Sequence, residues 1–163
     1  MSDLIEEWKS QKTNTRKERK SFLKRCKSKS NKKLDELAEE THEAVFKEVD
    51  CLDCANCCSS IPPIVNKTDA KRLAKHLGMK LAKFETEYLT VDEDGDSVMK
   101  TTPCPFLQED NKCFVYEYRP KACRAYPHTN NFEFSKHLKL HEKNAMYCPA
   151  VFHILDRMMK ITF

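Results

Sequence analysis

The chain has 163 residues, a formal net charge of +4, 40% hydrophobic and 33% charged residues, and two glycines. That length buries one modest core, and the composition is that of a soluble, helix-leaning globule. With only Gly78 and Gly95 present, glycine-rich nucleotide loops are excluded, and no apolar run approaches the roughly 20 residues that span a bilayer.

The opening "MSDLIEEWKS" is acidic and lacks an apolar secretory core, and the closing "MMKITF" carries no prenylation box. The expectation is a cytoplasmic protein with no membrane partner. Residues 9–33 then hold twelve Lys or Arg against one Glu, whereas residues 34–50 hold seven Asp or Glu against one Lys. The small net charge hides this asymmetry. Residues 3–27 read as helical with a thin apolar face of Leu4, Trp8, Phe22 and Leu23. In the acidic block Leu34, Leu37, Ala38, Thr41, Val45 and Val49 recur at helical spacing, with Ser30 or Asn31 as the cap.

After a cysteine-rich stretch, Pro62-Pro63 forces an extended segment. Thr68 is the expected cap of "DAKRLAKHL", which Gly78 stops. "LAKFETEYL" reads as a short helix. "VDEDGDSVM" reads as a hairpin turning at Asp94-Gly95, and "CPFLQEDNKCFVY" as a second hairpin from Cys104 to Cys113. "EYRPKAC" is a helical turn. "FSKHLKLHEKNAMY" and "PAVFHILDRMMK" are helices, the latter with Pro149 in its first position. "DEDGDS" is not a calcium loop, because its Gly95 is fourth from Asp92 where an EF-hand needs glycine sixth.

The chemistry lies in the sulfur. Nine cysteines without a secretory signal do not form a disulfide framework in a reducing compartment. Eight of them, Cys51, Cys54, Cys57, Cys58, Cys104, Cys113, Cys123 and Cys148, lie C-terminal to the charged helices on expected turns and strand ends. Thiolates suit zinc, Cu(I) and iron–sulfur clusters. A tetrahedral zinc site is one template. A C-x2-C-x2-C run of Cys51, Cys54 and Cys57, completed by the remote Cys104-Pro105 or Cys148-Pro149, is the iron–sulfur template. Cys26 has no cysteine neighbour in sequence and reads as a lone thiol.

"CLDCANCC", then "CPFL", then "CFVYEYRPKACRAYP" resembles the YkgJ-like cysteine-cluster family, zinc- or iron-chelating domains with a CxxCxxCC signature. The resemblance covers roughly residues 51–127. It implies metal chelation by Cys51, Cys54, Cys57, Cys58, Cys104, Cys113 and Cys123. Cys148 is outside the signature, and a buried thiol is its alternative reading. A family position often held by glycine is Asn56 here, a residue that tolerates positive φ. Longer relatives, the flagellin lysine methylases, are enzymes, so catalysis stays open.

Other residues have two readings. His137 and His141 are four apart and share a helix face able to bind a metal, or are ordinary polar surface. His128 is a spare ligand near Cys123. Arg119 and Arg124 flank Cys123 and offset thiolate charge, or pair with Glu117 or Asp53. In an extended segment, adjacent Cys57 and Cys58 point to opposite sides, which would divide their sulfurs between two coordination environments.

The expected fold is α+β, a small helix-rich, metal-stabilised domain (34–163) with short hairpins around a cysteine cluster and an N-terminal basic helical arm (1–33). The expected function is zinc or iron binding, structural or for carriage. An iron–sulfur redox or enzymatic protein is the alternative, and a nucleic-acid-associated zinc module using the basic arm is the third. No protein partner is implied.

Overall fold

In the computed structural model, residues 3–29, 31–130 and 133–161 are described. The elements are α1 (Asp3–Gln11), α2 (Arg16–Cys26), α3 (Asn31–Phe46), α4 (Cys51–Cys54), α5 (Asn56–Ser60), α6 (Lys67–His76) and α7 (Leu81–Tyr88). There follow β1 (Leu89–Val91), β2 (Ser97–Met99), α8 (Lys121–Ala125), α9 (Leu138–Asn144) and α10 (Pro149–Lys160). The result is a helix-rich α+β fold. No helix among the described residues is long and apolar enough to cross a membrane.

Two packing units divide the chain. The first holds residues 1–54 and 127–163, the second residues 55–126. In the first, α10 is the central element. Pro149 occupies its first turn, where a missing N–H costs nothing. Val151, Ile154, Leu155 and Met158 are fully buried, and the helix packs against α1, α2, α3 and α9. From α3, Leu34, Ala38, Thr41 and Val45 are buried at the expected spacing. Of its two expected caps, Ser30 lies outside the described residues.

The basic segment is built into this unit rather than laid on it. Ile5 and Trp8 of α1 are buried, and the Trp8 indole N–H donates to the Ala145 carbonyl at 2.9 Å. In α2, Arg19 is 1% exposed. Its guanidinium donates to Thr15 Oγ1 at 2.6 Å and to the Lys12 carbonyl, and lies over the Phe152 ring. Arg16 donates to Glu142 at 2.8 Å. Described residues on both sides of position 33, the boundary expected from charge, lie in the first unit. The predicted helix over residues 134–147 is a 3-10 turn, Phe134–Lys136, followed by α9. The break falls at His137, whose φ of −122° is not helical.

In the second unit α6 and α7 cover a short sheet. Val65, Ala70, Leu73, Ala74, Phe84, Met99, Phe106 and Val115 form its core. The cap of α6 is Asn66, not the expected Thr68. Asn66 Oδ1 accepts from the Asp69 N–H at 2.8 Å while Asp69 accepts from the Asn66 N–H, a reciprocal capping box. Thr68 is already inside the helix. Gly78 follows the helix end at φ +66°, the left-handed state that glycine enters without strain. The first hairpin pairs Leu89 with Met99 and Val91 with Ser97. Asp92 Oδ1 closes its turn by accepting from Asp94 and Asp96 N–H. The second expected hairpin is a single bridge, Leu107 with Cys113.

If the N-terminal segment is part of the first core, truncating its indole must cost that unit both packing and a buried hydrogen bond. Trp8→Ala is expected to lower unfolding stability by about 3–5 kcal/mol, measured by urea titration with far-UV circular dichroism. A change under about 0.5 kcal/mol, typical of a surface site, would show the segment to be an appendage.

Candidate metal centre

The cysteine run lies on two short helical turns, α4 and α5, not on the turns and strand ends expected of it. Between them Ala55 has φ +47°, so the left-handed residue is Ala55 and not Asn56. Asn56 instead opens α5. Cys57 and Cys58 are consecutive helical residues, about 100° apart around the axis, and not on opposite faces of a strand. The Cys57 side chain hydrogen-bonds to Cys58, and this contact lowers the Cys58 pKa, with help from a backbone N–H and against burial. The premise that adjacency forces the two sulfurs apart fails for this reason.

In the second unit Cys58, Cys104, Cys113 and Cys123 are near enough to feel one another's charge. Burial pushes Cys123 up to about 12, and negative charge at Cys58, Cys104 and Cys113 adds to the shift. Cys104 and Cys113 are raised for the same reasons, burial first and then the other thiols. Against this, backbone N–H groups of Phe106 and Leu107 act on Cys104, and that of Val115 on Cys113, each favouring the thiolate. The Cys104 N–H also donates to the Cys58 carbonyl at 2.8 Å, tying two members of the group through the backbone.

The first unit gathers the remaining thiols. Cys148 is pushed up to about 12, by burial and then by Cys51 and Cys54, while the Val151 and Ala150 N–H groups favour its thiolate. Cys148 is thus a neighbour of two signature cysteines, although it stands over ninety residues from them in sequence. Cys26 is buried and pushed up to about 11 by burial, with no other thiol among the causes. His128 also belongs to the first unit, where its ring centroid is 6.4 Å from that of His137. All nine cysteines are thiols outside any disulfide.

The donor chemistry fits a soft or borderline cation. Several thiols share a half-buried region, the charge of Cys58 raises the pKa of Cys104, Cys113 and Cys123, and backbone N–H groups stabilise the sulfur anion. Without a cation the like charges oppose joint ionisation; with one, the same sulfurs become ligands. No group of three or more His, Cys, Asp or Glu side chains among the described residues is already arranged to hold a metal ion. The sulfurs are collected but not closed on one point.

Arg119 is the cation that reaches the second group, lowering the Cys113 and Cys123 pKa values. It donates to the Tyr116 carbonyl at 2.8 Å and lies 3.8 Å from the Tyr116 ring centroid. Arg124 is exposed on α8. Two residues that position the group were not singled out in the sequence. Asp69 is 2% exposed and accepts from the Lys121 N–H at 3.2 Å, fixing the start of the helix that carries Cys123. Arg72 pairs with Asp69 at 2.8 Å and donates to the Tyr118 and Arg119 carbonyls. The Asn66-x-x-Asp69 box was the sequence signal that could have found Asp69.

Residues 50–149 match the CxxCxxCC family model, described as "Putative zinc- or iron-chelating domain". That span is more than half of the chain. No curated protein and no solved structure matches it.

Removing the Asp69 carboxylate takes the charged partner from Arg72, which keeps the Tyr118 and Arg119 carbonyls, and the acceptor from the Lys121 and Asn66 N–H groups. Asp69→Ala is expected to cost the second unit about 2–4 kcal/mol and to weaken metal retention on the order of tenfold, as loss of a positioning group does. Equilibrium dialysis with zinc checks the second effect. Unchanged retention would mean that Cys123 needs no such support.

Proposed function

This chain belongs to the CxxCxxCC zinc- or iron-chelating family, and from that premise we propose that it holds metal through two thiol groups, one in each packing unit. In the first unit the ligands are Cys51, Cys54 and Cys148. In the second they are Cys58, Cys104, Cys113 and Cys123, with Cys57 hydrogen-bonded to Cys58. The observation that carries the reading is the pattern of mutual influence among the thiols. Cys148 responds to Cys51 and Cys54, whereas Cys123 responds to Cys58, Cys104 and Cys113. Zinc or iron is the metal that such donors suit. Bound there, it supplies the positive charge that keeps the sulfurs ionised and links segments distant in sequence. Its role is structural or one of carriage, in a cytoplasmic protein.

Metal uptake must displace protons from Cys104, Cys113, Cys123 and Cys148, because their raised pKa values keep them protonated near neutral pH. The sign follows directly. Ligation needs the deprotonated form, so affinity rises with pH and falls as pH drops. Calorimetry in buffers of different ionisation enthalpy is expected to show close to one proton released per raised thiol that ligates. Binding without proton release would mean that these thiols do not ligate.

The division into two groups has its own test. Cys58→Ser and Cys148→Ser are expected to abolish different metal equivalents, read by elemental analysis and visible absorption of protein purified without oxygen. A colourless zinc protein fits structural or carriage roles; a brown protein containing sulfide assigns an iron–sulfur centre. Loss of one and the same equivalent in both variants would merge the two groups into one.

A further inference from the structure

The thiol groups leave a second donor chemistry unused in the first unit. His128, His137 and His141 come together there. The His128 and His137 ring centroids are 6.4 Å apart, and so are those of His137 and His141. Glu133 Oε2 is 3.8 Å from His137 Nε2. His128, His141 and Glu133 thus each lie near His137, although no three of these groups are already arranged around one point.

His141 has the environment of a ligand rather than of a packed ring. It is 0% exposed, and its Nε2 is 3.1 Å from the Phe134 carbonyl. A carbonyl only accepts, so Nε2 carries the hydrogen and Nδ1 holds a lone pair. That Nδ1 is buried without a hydrogen-bond partner. One ring nitrogen held by a backbone carbonyl and the other left as a bare donor is the arrangement of metal-ligating histidines. Burial, and then the neighbouring histidines, hold His141 and His128 below the ordinary imidazole pKa, so near neutral pH both are bases. His128 adopts φ +63°, a state uncommon outside glycine.

We propose that His128, His137 and His141, with Glu133, form a separate site for a divalent cation that prefers imidazole, of the zinc, nickel or cobalt class. Two imidazoles on one tetrahedral ion, with metal–nitrogen bonds of about 2.0–2.1 Å, place their ring centroids roughly 5 Å apart. The rings stand about 1 Å too open for this. His137 supplies the movement, because its side chain is 42% exposed and its contact to Glu133 is long, at 3.8 Å.

Cobalt(II) is the probe, titrated into the reduced full chain without oxygen. Thiolate-bound cobalt gives intense near-ultraviolet charge-transfer absorption, whereas nitrogen- and oxygen-bound cobalt gives only weak visible bands. The expected result is a class of cobalt with weak visible bands alone, additional to any sulfur-bound class. His128→Gln with His137→Gln should abolish it while leaving circular dichroism and the near-ultraviolet bands unchanged. Should the double variant not fold, His137→Gln alone is expected to weaken this class by roughly tenfold or more. A wild-type chain lacking the nitrogen-bound class, or variants that retain it in full, overturns the proposal. In that event a buried water joining His141 Nδ1 to the equally unpartnered Asn144 Nδ2 explains both orphaned atoms. Failure of the thiol centres would remove the near-ultraviolet bands and leave the nitrogen-bound class standing, so the two readings fail separately.

Discussion

Thiols gathered in one half-buried place, where ionisation of one opposes that of the next, are the constraint on which the second unit depends. Cys58 and Cys113 oppose ionisation of Cys104, and Cys58, Cys104 and Cys113 oppose that of Cys123. A folded chain can relieve such a cluster by protonating it or by admitting a cation. Backbone N–H groups of Phe106, Leu107 and Val115 favour the sulfur anions. Those dipoles would have little to stabilise if the thiols remained neutral. Arg119 adds a fixed positive charge, and its own place is set by stacking on Tyr116. The family described as zinc- or iron-chelating is one in which this tension has a chemical resolution.

Support for the cluster comes from ordinary folding physics applied at one residue. Asp69 answers two demands of a helix start, pairing with Asn66 at its own helix and with the Lys121 N–H at another. Its 3% exposed side chain pairs with Arg72 at 2.8 Å. A buried ion pair is weak evidence for stability by itself. Here it also joins segments about fifty residues apart, which a hydrophobic replacement of equal volume would not orient. The short hairpin plays a smaller part, placing Met99 in the core while leaving Val91 exposed.

What was legible in the sequence followed local rules. Pro149 and the apolar spacing after it defined α10, and Asp94-Gly95 defined the hairpin turn. The acidic block gave α3 because its apolar residues keep helical period regardless of neighbours. The site was legible as composition and as family signature, but not as grouping. Which thiols neighbour each other depends on the packing of α10, and no local pattern relates Cys148 to Cys51 and Cys54. The burial of Arg19 was illegible for a related reason. Charge predicts exposure, yet a guanidinium can be buried when Thr15 and the Lys12 carbonyl accept from it and Phe152 lies beneath. Thr68 was chosen as cap by residue type alone, whereas Asn66 wins because Asp69 reciprocates.

The doubled cysteine shows how one backbone angle redirects a motif. Had residues 51–58 continued as a single helix, Cys51, Cys54 and Cys58 would lie along one face, at i, i+3 and i+7. All three sulfurs would then serve one centre, with Cys57 turned aside. The left-handed φ of Ala55 breaks that helix into α4 and α5. An alanine in this state costs about 1–2 kcal/mol that glycine would not, and the residue is 6% exposed, so no solvent-exposed slack relieves it. Strain of this kind persists where surrounding structure over-determines it. Cys54 ends one unit and Ala55 begins the other, so the break in the helix coincides with the division between the two thiol groups proposed as ligands.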